Sequence, residues 1–274
     1  MTAVAIWVTN ELTTDPCINV AADSLITDGS ASALIKDASK VFLLPVTCRA
    51  LDLDGQLHVS TQTYGYAFAG STLLGQNTYL ALAPLLSSLI SQTAFTPPLS
   101  AVAAYIHDYL RSVYENARMR GPAANFEVAL FGYCPVKMQL AVYHFAHAKT
   151  TEGTQMLMSS YEPLANGEVV YLGSYKDDFL ESLRCASVGP PKPGRHLHSM
   201  PRYIVEEFVT SPERSLVGGD LQLWVASSKG LFPRMLVRPL TLGKPQSEFR
   251  YLGRPLTGSL LHVGEATIGM LGVA

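Results

Sequence analysis

The sequence predicts an α+β protein built from two stacked, mainly antiparallel sheets with helices on their outer faces. Three observations support this class: strand-like and helix-like segments come in blocks, the helices come in pairs, and no segment recurs at a fixed period. This order favours a four-layer αββα sandwich, with a single-sheet α+β domain as the alternative. With 274 residues the chain can bury a large core, and we expect one domain over residues 1–274.

The first block consists of apolar, strand-like runs separated by polar turns. The first two runs form a hairpin around the polar loop "TNELTTDP". The remaining three runs lead up to the first helix. The predicted strands of this block are residues 3–8, 17–23, 40–46, 56–61 and 63–70.

Two helices follow this block. Leucines recur at helical spacing from Ser71 to Gln92, and Ser71 is a plausible N-cap. Pro84 lies inside this helix and should kink it or mark a break in its middle. A second helix is predicted from Ser100 to about Met119, where an Arg-Gly-Pro sequence ends it.

The second half of the chain has the same order of strands, helices and strands. Its two helices are separated by a proline-rich loop, and residues from about 229 to 274 are predicted to be a C-terminal extension of the same domain. The predicted strands are 126–133, 139–148, 154–159, 168–173, 221–228 and 231–238, and the predicted helices are 175–186 and 201–211.

The composition excludes several functions. Only 15% of the residues are charged and 48% are apolar, which argues against disorder. A net charge of −2 offers no basic excess for nucleic acid, and no apolar stretch is long enough to span a bilayer. No positive region precedes the first apolar run, as a secretory signal would require. Four cysteines without CxxC spacing fit reduced thiols, so we expect a cytoplasmic protein without nucleic-acid or membrane partners.

A threonine stands directly behind the initiator methionine, and a strand starts at once after it. Loss of Met1, which is usual before a small residue, would leave Thr2 with a free α-amine. A threonine hydroxyl and the N-terminal amine form a nucleophile–base pair. The ordinary pKa of the amine is about 7.7–8.0, and a nearby lysine would lower it. The chemistry therefore requires a lysine and a carboxylate to position it, whereas Thr2 alone could be an ordinary second residue.

The segments "INVAADSLITDG" and "KDASKVFLL" resemble the start of proteasome β-subunits and of the bacterial HslV and Anbu peptidases. In that family the second strand ends in an aspartate, a glycine turn follows, and a lysine precedes a β-branched apolar strand. The resemblance implies Asp23, Gly29 and Lys40 at these three positions. Lys36 is the competing lysine, because the hairpin loop and the segment between aspartate and lysine are longer here.

The stretch "YAFAG" resembles the family's Ala-Gly step before the first long helix. The resemblance implies that the backbone N–H of Gly70 stabilises the oxyanion, as a fixed donor beside a helix N-terminus can do. It also assigns Phe68 and Thr27 to substrate binding. A core position on the strand is the alternative for Phe68.

The stretch "VVYLGSYKDDF" resembles the family junction whose serine lies by the terminal amine, which implies a site role for Ser174. Tyr175 replaces the glycine that usually follows. A plain N-cap at Ser174, with Asp177 completing a capping box, is the alternative.

The stretch "TSPERSLVGGDLQL" resembles Anbu-type members most, and so does the length of the C-terminal region. The aspartate and serine of standard proteasome subunits do not align cleanly here. Glu213, Arg214 and Ser215 are the candidates, with an exposed polar loop as the alternative.

The resemblance implies a threonine-type Ntn hydrolase that cleaves peptides or unfolded proteins and assembles with its own copies into a ring or an open spiral. No cofactor and no metal are expected. An ATPase partner has no support in the sequence. The alternatives are a proteasome-like scaffold without catalysis, for example with Met1 retained, and a non-peptide amidase on the same fold.

Overall fold

The computed structural model describes residues 2–9, 15–28, 31–51, 56–116, 125–151, 153–188, 195–238 and 248–273. It has a mixed, sheet-rich secondary structure, which confirms the predicted α+β class. The helices are α1 (Thr72–Leu86), α2 (Leu99–Asn116), α3 (Lys176–Val188) and α4 (Met200–Thr210).

Most strands belong to two large sheets. In chain order, the strands up to the middle of the sequence are β1 (Ala3–Thr9), β2 (Cys17–Asp23), β3 (Ile26–Thr27), β4 (Ala33–Ile35), β5 (Val41–Leu51), β6 (Leu57–Gly70), β7 (Leu89–Ser91), β8 (Phe126–Cys134) and β9 (Gln139–Thr150). Those that follow are β10 (Gly153–Tyr161), β11 (Val169–Gly173), β12 (Leu221–Ser227), β13 (Gly230–Arg238), β14 (Glu248–Tyr251), β15 (Arg254–Pro255), β16 (His262–Val263), β17 (Ala266–Thr267) and β18 (Leu271–Val273).

The first sheet carries the N-terminal strand β1 next to its edge strand β11. Among the described residues its order is β11-β1-β2-β12-β13-β14-β15, with β18 alongside β13. The β13–β18 pair is parallel and the others are antiparallel. Strands of the predicted C-terminal extension thus continue the sheet that contains β1 and β2.

The second sheet has the order β10-β9-β8-β6-β5-β7 within the described chain. It is antiparallel except for the β5–β7 pair. The single-sheet alternative is therefore wrong. The two strands predicted at 56–61 and 63–70 are one continuous strand, β6, because its pairing with β5 runs without a break from residue 57 to 67.

Three buried apolar clusters form the core. One combines the second sheet with α1 and α2, and another combines the first sheet with α3 and α4. The third contains residues of both sheets, including Val4, Val20 and Trp224 from the first and Val41 and Ala129 from the second. Strand β1 is buried along its whole length because it is covered on both faces, which explains its continuous apolar sequence.

The first helix differs from its prediction. It ends at Leu86 instead of Gln92, because residues 89–91 pair with β5 as a short parallel strand. Pro84 lies within its last turn. Only part of its leucine pattern faces the core: Leu82 and Leu86 are buried, whereas Leu73 and Leu80 are exposed.

Candidate active site

Thr2 lies at the buried start of β1. The residue is 2% exposed, and its carbonyl oxygen accepts a 2.7 Å hydrogen bond from the backbone N–H of Ser174. The pairing of β1 with β11 continues this contact, because Ala3 lies opposite Gly173. The two strands together hold Thr2 beside the end of β11.

Asp23 ends β2 and has no exposed surface. Its Oδ1 accepts hydrogen bonds from the backbone N–H of Ala3 at 2.9 Å and from Lys40 Nζ at 2.8 Å. Its Oδ2 accepts from the backbone N–H groups of Leu25 at 3.2 Å and of Gly218 at 3.3 Å. Four donors thus satisfy both oxygens, as a buried carboxylate requires.

Lys40 is fully buried directly before β5. Besides its ion pair with Asp23, its Nζ donates a 2.6 Å hydrogen bond to the carbonyl oxygen of Leu25. Burial lowers the pKa of the Lys40 ammonium, and the Asp23 carboxylate opposes that shift. Each partner therefore depends on the other, because removing one would leave an uncompensated buried charge.

Two glycines at strand ends allow close backbone contacts, one of them with Thr2. A Cβ at Gly173, where φ is +100°, would lie 2.0 Å from the Thr2 carbonyl oxygen and 3.3 Å from Ala69 Cβ. Gly70 follows Ala69, has a φ of +92°, and would place a Cβ 2.4 Å from the carbonyl oxygen of Asn125. Only glycine fits these positions without strain. The Ala69–Gly70 step therefore lies beside the Thr2–Gly173 contact, just before α1.

Lys36, Phe68 and Thr27 have other surroundings. The Lys36 side chain is exposed, and its carbonyl oxygen accepts a 2.6 Å hydrogen bond from Ser24 Oγ. Phe68 has no exposed surface and stacks on Phe42 with 6.1 Å between ring centroids, which favours the core interpretation. Thr27 is half-buried at the end of β3.

Ser174 precedes α3 by two residues. Its carbonyl oxygen accepts a 2.5 Å hydrogen bond from the Tyr171 hydroxyl. The carbonyl of Tyr175 accepts the first helical bond, from the N–H of Phe179, so Tyr175 rather than Ser174 has the cap position. The φ of Tyr175 is +61°, a left-handed conformation that favours glycine.

The loop after α4 carries the three candidates Glu213, Arg214 and Ser215. Arg214 forms a 3.2 Å ion pair with Asp178 and lies 4.2 Å above the Phe208 ring. Glu213 and Ser215 are exposed. Arg214 therefore links α3 to α4, and this loop reaches the site through a backbone N–H further along.

Two contributors to the site were not found from the sequence: the backbone N–H of Gly218 and the side chain of Gln222. Gln222 Oε1 accepts hydrogen bonds from the N–H groups of Lys40 at 3.0 Å and Val41 at 3.3 Å. One signal could have indicated it: Gln222 is a polar residue inside the otherwise apolar strand "LQLWVA". The backbone donor at Gly218 has no comparable signal.

Two of the residues named from the sequence cannot be placed in the structure. Met1 and the predicted turn residue Gly29 lie outside the described residues. Within the described residues, no group of three or more His, Cys, Asp or Glu side chains is arranged to hold a metal ion. In the same part of the chain, no helix combines the length and the apolarity needed to cross a bilayer.

No protein-family model matches the sequence, and no curated protein matches it. Solved structures do match. Anbu (ancestral β-subunit) from Yersinia bercovieri has a TM-score of 0.55 at 13% identity, covering 85% of this chain and 86% of that one. The helical assembly of the Anbu complex from Pseudomonas aeruginosa gives 0.54 at 14%, covering 85% and 84%. Anbu from Hyphomicrobium sp. strain MC1 gives 0.51 at 13%, covering 83% and 82%.

These structural neighbours are Anbu proteins, proteasome-like relatives of the Ntn hydrolases. The resemblance predicted from the sequence is thus confirmed at the level of the fold. An identity of 13–14% shows the fold alone. The activity has to be argued from the site.

Proposed function

We propose that this chain is an N-terminal threonine hydrolase that cleaves amide bonds in peptides or unfolded proteins. The observation that carries the proposal is the shared oxygen of Asp23: its Oδ1 binds both the Lys40 ammonium and the N–H of Ala3, the residue after Thr2. A buried ion pair is a costly way to stabilise a core, and such groups cluster at functional sites. The pair is bound to the residue after Thr2, and an N-terminal threonine requires a lysine and a carboxylate nearby, which supports the proposal.

Acylation would proceed on the chain without Met1. The Thr2 Oγ attacks the substrate carbonyl carbon, and the Thr2 α-amine takes the hydroxyl proton, directly or through a water molecule. The Lys40 charge lowers the pKa of that amine, so that more of it is neutral and basic near pH 7. The backbone N–H of Gly70 stabilises the developing oxyanion. The C–N bond then breaks, the leaving amine takes the proton, and an ester on Thr2 remains.

Deacylation uses the same groups, with a water molecule as the nucleophile and the Thr2 hydroxyl as the leaving group. The Thr2 amine takes a proton from a water molecule, whose oxygen attacks the ester carbonyl. The ester C–O bond breaks, the carboxylic acid product leaves, and the Thr2 hydroxyl regains its proton. The backbone N–H of Ser174, which binds the Thr2 carbonyl, would hold the nucleophile in place through both steps.

The arrangement of the core supports a four-layer αββα sandwich as the scaffold. The apolar cluster shared by the two sheets stands between them, and each outer cluster joins one sheet to its own helix pair. Thr2, Asp23 and Lys40 then lie between the layers, at one end of the sheets.

We also infer that the chain assembles with copies of itself. The Anbu complex from Pseudomonas aeruginosa forms a helical assembly. In this chain α1 exposes Leu73, Asn77, Leu80 and Pro84, which helical spacing places on one face. Residues 55–107 contain no Asp, Glu, Lys or Arg. An exposed helix without charge and with protruding leucines is typical of a protein interface.

The predicted cytoplasmic location stays a prediction.

The test is covalent labelling of Thr2. The purified protein is treated with an epoxyketone or β-lactone probe, and its intact mass and N-terminal sequence are determined. We expect a chain without Met1 that carries one adduct, and no adduct on Thr2→Ala. Thr2→Ser, which keeps a hydroxyl, should still be labelled.

Other outcomes would decide for the alternatives. An adduct that persists on Thr2→Ala, or no adduct across a broad panel of probes, would overturn the proposal. A retained Met1 would block the amine and favour a scaffold. Labelling of Thr2 without cleavage of any peptide library would favour a non-peptide amidase.

A further inference from the structure

Gln222 is a polar side chain in the core between the two sheets. It lies in β12 opposite Ala22 of β2 and is almost completely buried. Its neighbours on the same face of the first sheet, such as Trp224 and Ala226, belong to the apolar cluster between the sheets. An amide in this position is costly unless every donor and acceptor finds a partner.

The side-chain amide of Gln222 satisfies four hydrogen bonds, all to residues 39–41. Its oxygen accepts from the N–H groups of Lys40 and Val41 at 3.0 and 3.3 Å. Its Nε2 donates to Ser39 Oγ at 3.0 Å and to the Val41 carbonyl oxygen at 3.1 Å. A side-chain amide has two donors and two acceptor sites, so neither its oxygen nor its nitrogen is left without a partner.

Gln222 binds backbone groups of residues 39–41 on the side of β5 where a neighbouring strand would otherwise bind them. On one side of β5, the N–H of Phe68 in β6 donates to the carbonyl oxygen of Lys40. On its other side, β5 is paired with β7 only at residues 48–50. Gln222 therefore supplies from the opposite sheet the partners that β7 does not supply at residues 39–41.

We propose that Gln222 is a positioning residue: it fixes the backbone of residues 39–41 and thereby holds the Lys40 ammonium against Asp23. The inference rests on the proposed role of Lys40 beside Thr2 and adds a residue that touches neither the nucleophile nor the substrate. An error of about 1 Å in the position of a catalytic group can lower the reaction rate on the order of 100-fold. A rigid backbone under Lys40 is therefore part of the site.

The C-terminal extension packs against Gln222 and against the segment that leads to Lys40. The hydroxyl of Tyr251 in β14 lies close to the Gln222 side chain, and Arg254 in β15 forms an ion pair with Asp37, three residues before Lys40. Between them, a Cβ at Gly253 would lie 3.2 Å from the Cβ of Asp220. The extension thus contacts both β12 and the segment that leads to Lys40.

The experiment compares Gln222→Met, which keeps the volume but loses the amide, with Trp224→Phe, a matched change on the same face of β12. Hydrogen–deuterium exchange is followed for the peptide that covers residues 36–44. The rate of Thr2 labelling by the same covalent probe is measured from pH 6 to 9. For Gln222→Met we expect faster exchange in this peptide and labelling slowed on the order of 10- to 100-fold at pH 7. The labelling profile should also shift to higher pH, because a displaced Lys40 no longer lowers the pKa of the Thr2 amine.

Each outcome has one meaning. Unchanged exchange, or a labelling loss that is equal at every pH and matches Trp224→Phe, would overturn the proposal. If the wild-type chain takes no probe but Gln222→Met exchanges faster at residues 36–44, the hydrolase proposal fails and the hold of Gln222 on the Lys40 segment stands. If Gln222→Met does not fold, Tyr251→Phe serves instead. Tyr251→Phe should give smaller changes in exchange and in labelling, in the same direction. The exposed Tyr105→Phe is its control. If Tyr251→Phe changes neither measurement, the role of the extension is overturned.

Discussion

Gly173 packs directly on Thr2: a Cβ at position 173 would lie 2.0 Å from the Thr2 carbonyl oxygen. That oxygen also accepts the N–H of Ser174, so neither strand can move away without losing a hydrogen bond. We expect Gly173→Ala to displace Thr2 and abolish its labelling. Left-handed strain and overpacking together should lower the free energy of unfolding by about 2–5 kcal/mol, measured by urea denaturation.

Gly167 offers a matched control for this prediction. Its φ is +85°, close to that of Gly173, but no heavy atom lies within 4 Å of a Cβ built there. Gly167→Ala should therefore cost only the backbone strain, about 1–2 kcal/mol, and leave labelling unchanged. Equal losses in the two variants would contradict a specific contact between Gly173 and Thr2.

The ion pair predicts a sharp difference between two lysines. Lys40→Met leaves the Asp23 carboxylate buried without its counter-ion, which should destabilise the fold by about 3–5 kcal/mol and abolish labelling of Thr2. The double variant Lys40→Met, Asp23→Asn removes the unpaired charge. It should recover most of the stability in urea denaturation but none of the labelling, which separates the role of Lys40 in folding from its role in chemistry.

Lys36→Met is the control for these variants, because the Lys36 side chain is exposed. Its stability should stay within about 0.5 kcal/mol of the wild type and its labelling rate should be unchanged. Loss of labelling in Lys36→Met, with Lys40→Met still labelled, would assign the site lysine to position 36.

A buried tyrosine makes stability fall at alkaline pH. Tyr66 has no exposed surface and donates a 2.9 Å hydrogen bond to the carbonyl oxygen of Gly75. Burial raises the pKa of its hydroxyl above the ordinary value of 10.0. The stabilisation is therefore complete below pH 10 and is lost as the pH rises above it, because the unfolded chain ionises there and the folded chain does not.

Tyr66→Phe should flatten this dependence. Each such tyrosine adds a slope that approaches about 1.4 kcal/mol per pH unit above its ordinary pKa, so the variant should lose one such increment. The measurement is the free energy of unfolding in urea between pH 9 and 11. The exposed Tyr105→Phe should keep the wild-type slope, and a wild-type slope in Tyr66→Phe would contradict the prediction.

The parts of the site that could be predicted are local in the sequence. Asp23 ends a strand and Lys40 precedes one, and strand ends can be located from apolar runs and turns. Gln222 contacts Lys40 across 182 residues, and a single sequence carries no direct signal of such a contact. The N–H of Gly218 is harder still to predict, since every residue except proline has a backbone donor.

The errors in the fold have the same origin. Residues 89–91 continue the helical leucine pattern, but pairing with β5 makes them a strand. Periodicity alone cannot separate a short apolar strand from the end of a helix. The packing of Phe68 under α1, with Gly75 close to its ring, is another long-range feature that a local pattern does not indicate. Tertiary packing determines both features.

The uncharged face of α1 predicts how self-assembly can be broken. Leu73 and Leu80 are 68% and 66% exposed, and seven residues apart they share one face of the helix. Leu80→Glu places a charge at the centre of that face, and burying it without a partner in an interface is strongly unfavourable. We expect smaller particles in native mass spectrometry and light scattering, with an unchanged melting temperature of the subunit.

Leu157→Glu, on the 44% exposed Leu157 of β10, is the control and should assemble like the wild type. A wild-type particle that is strictly monomeric would refute self-assembly, and intact assemblies of Leu80→Glu would exclude α1 from the interface.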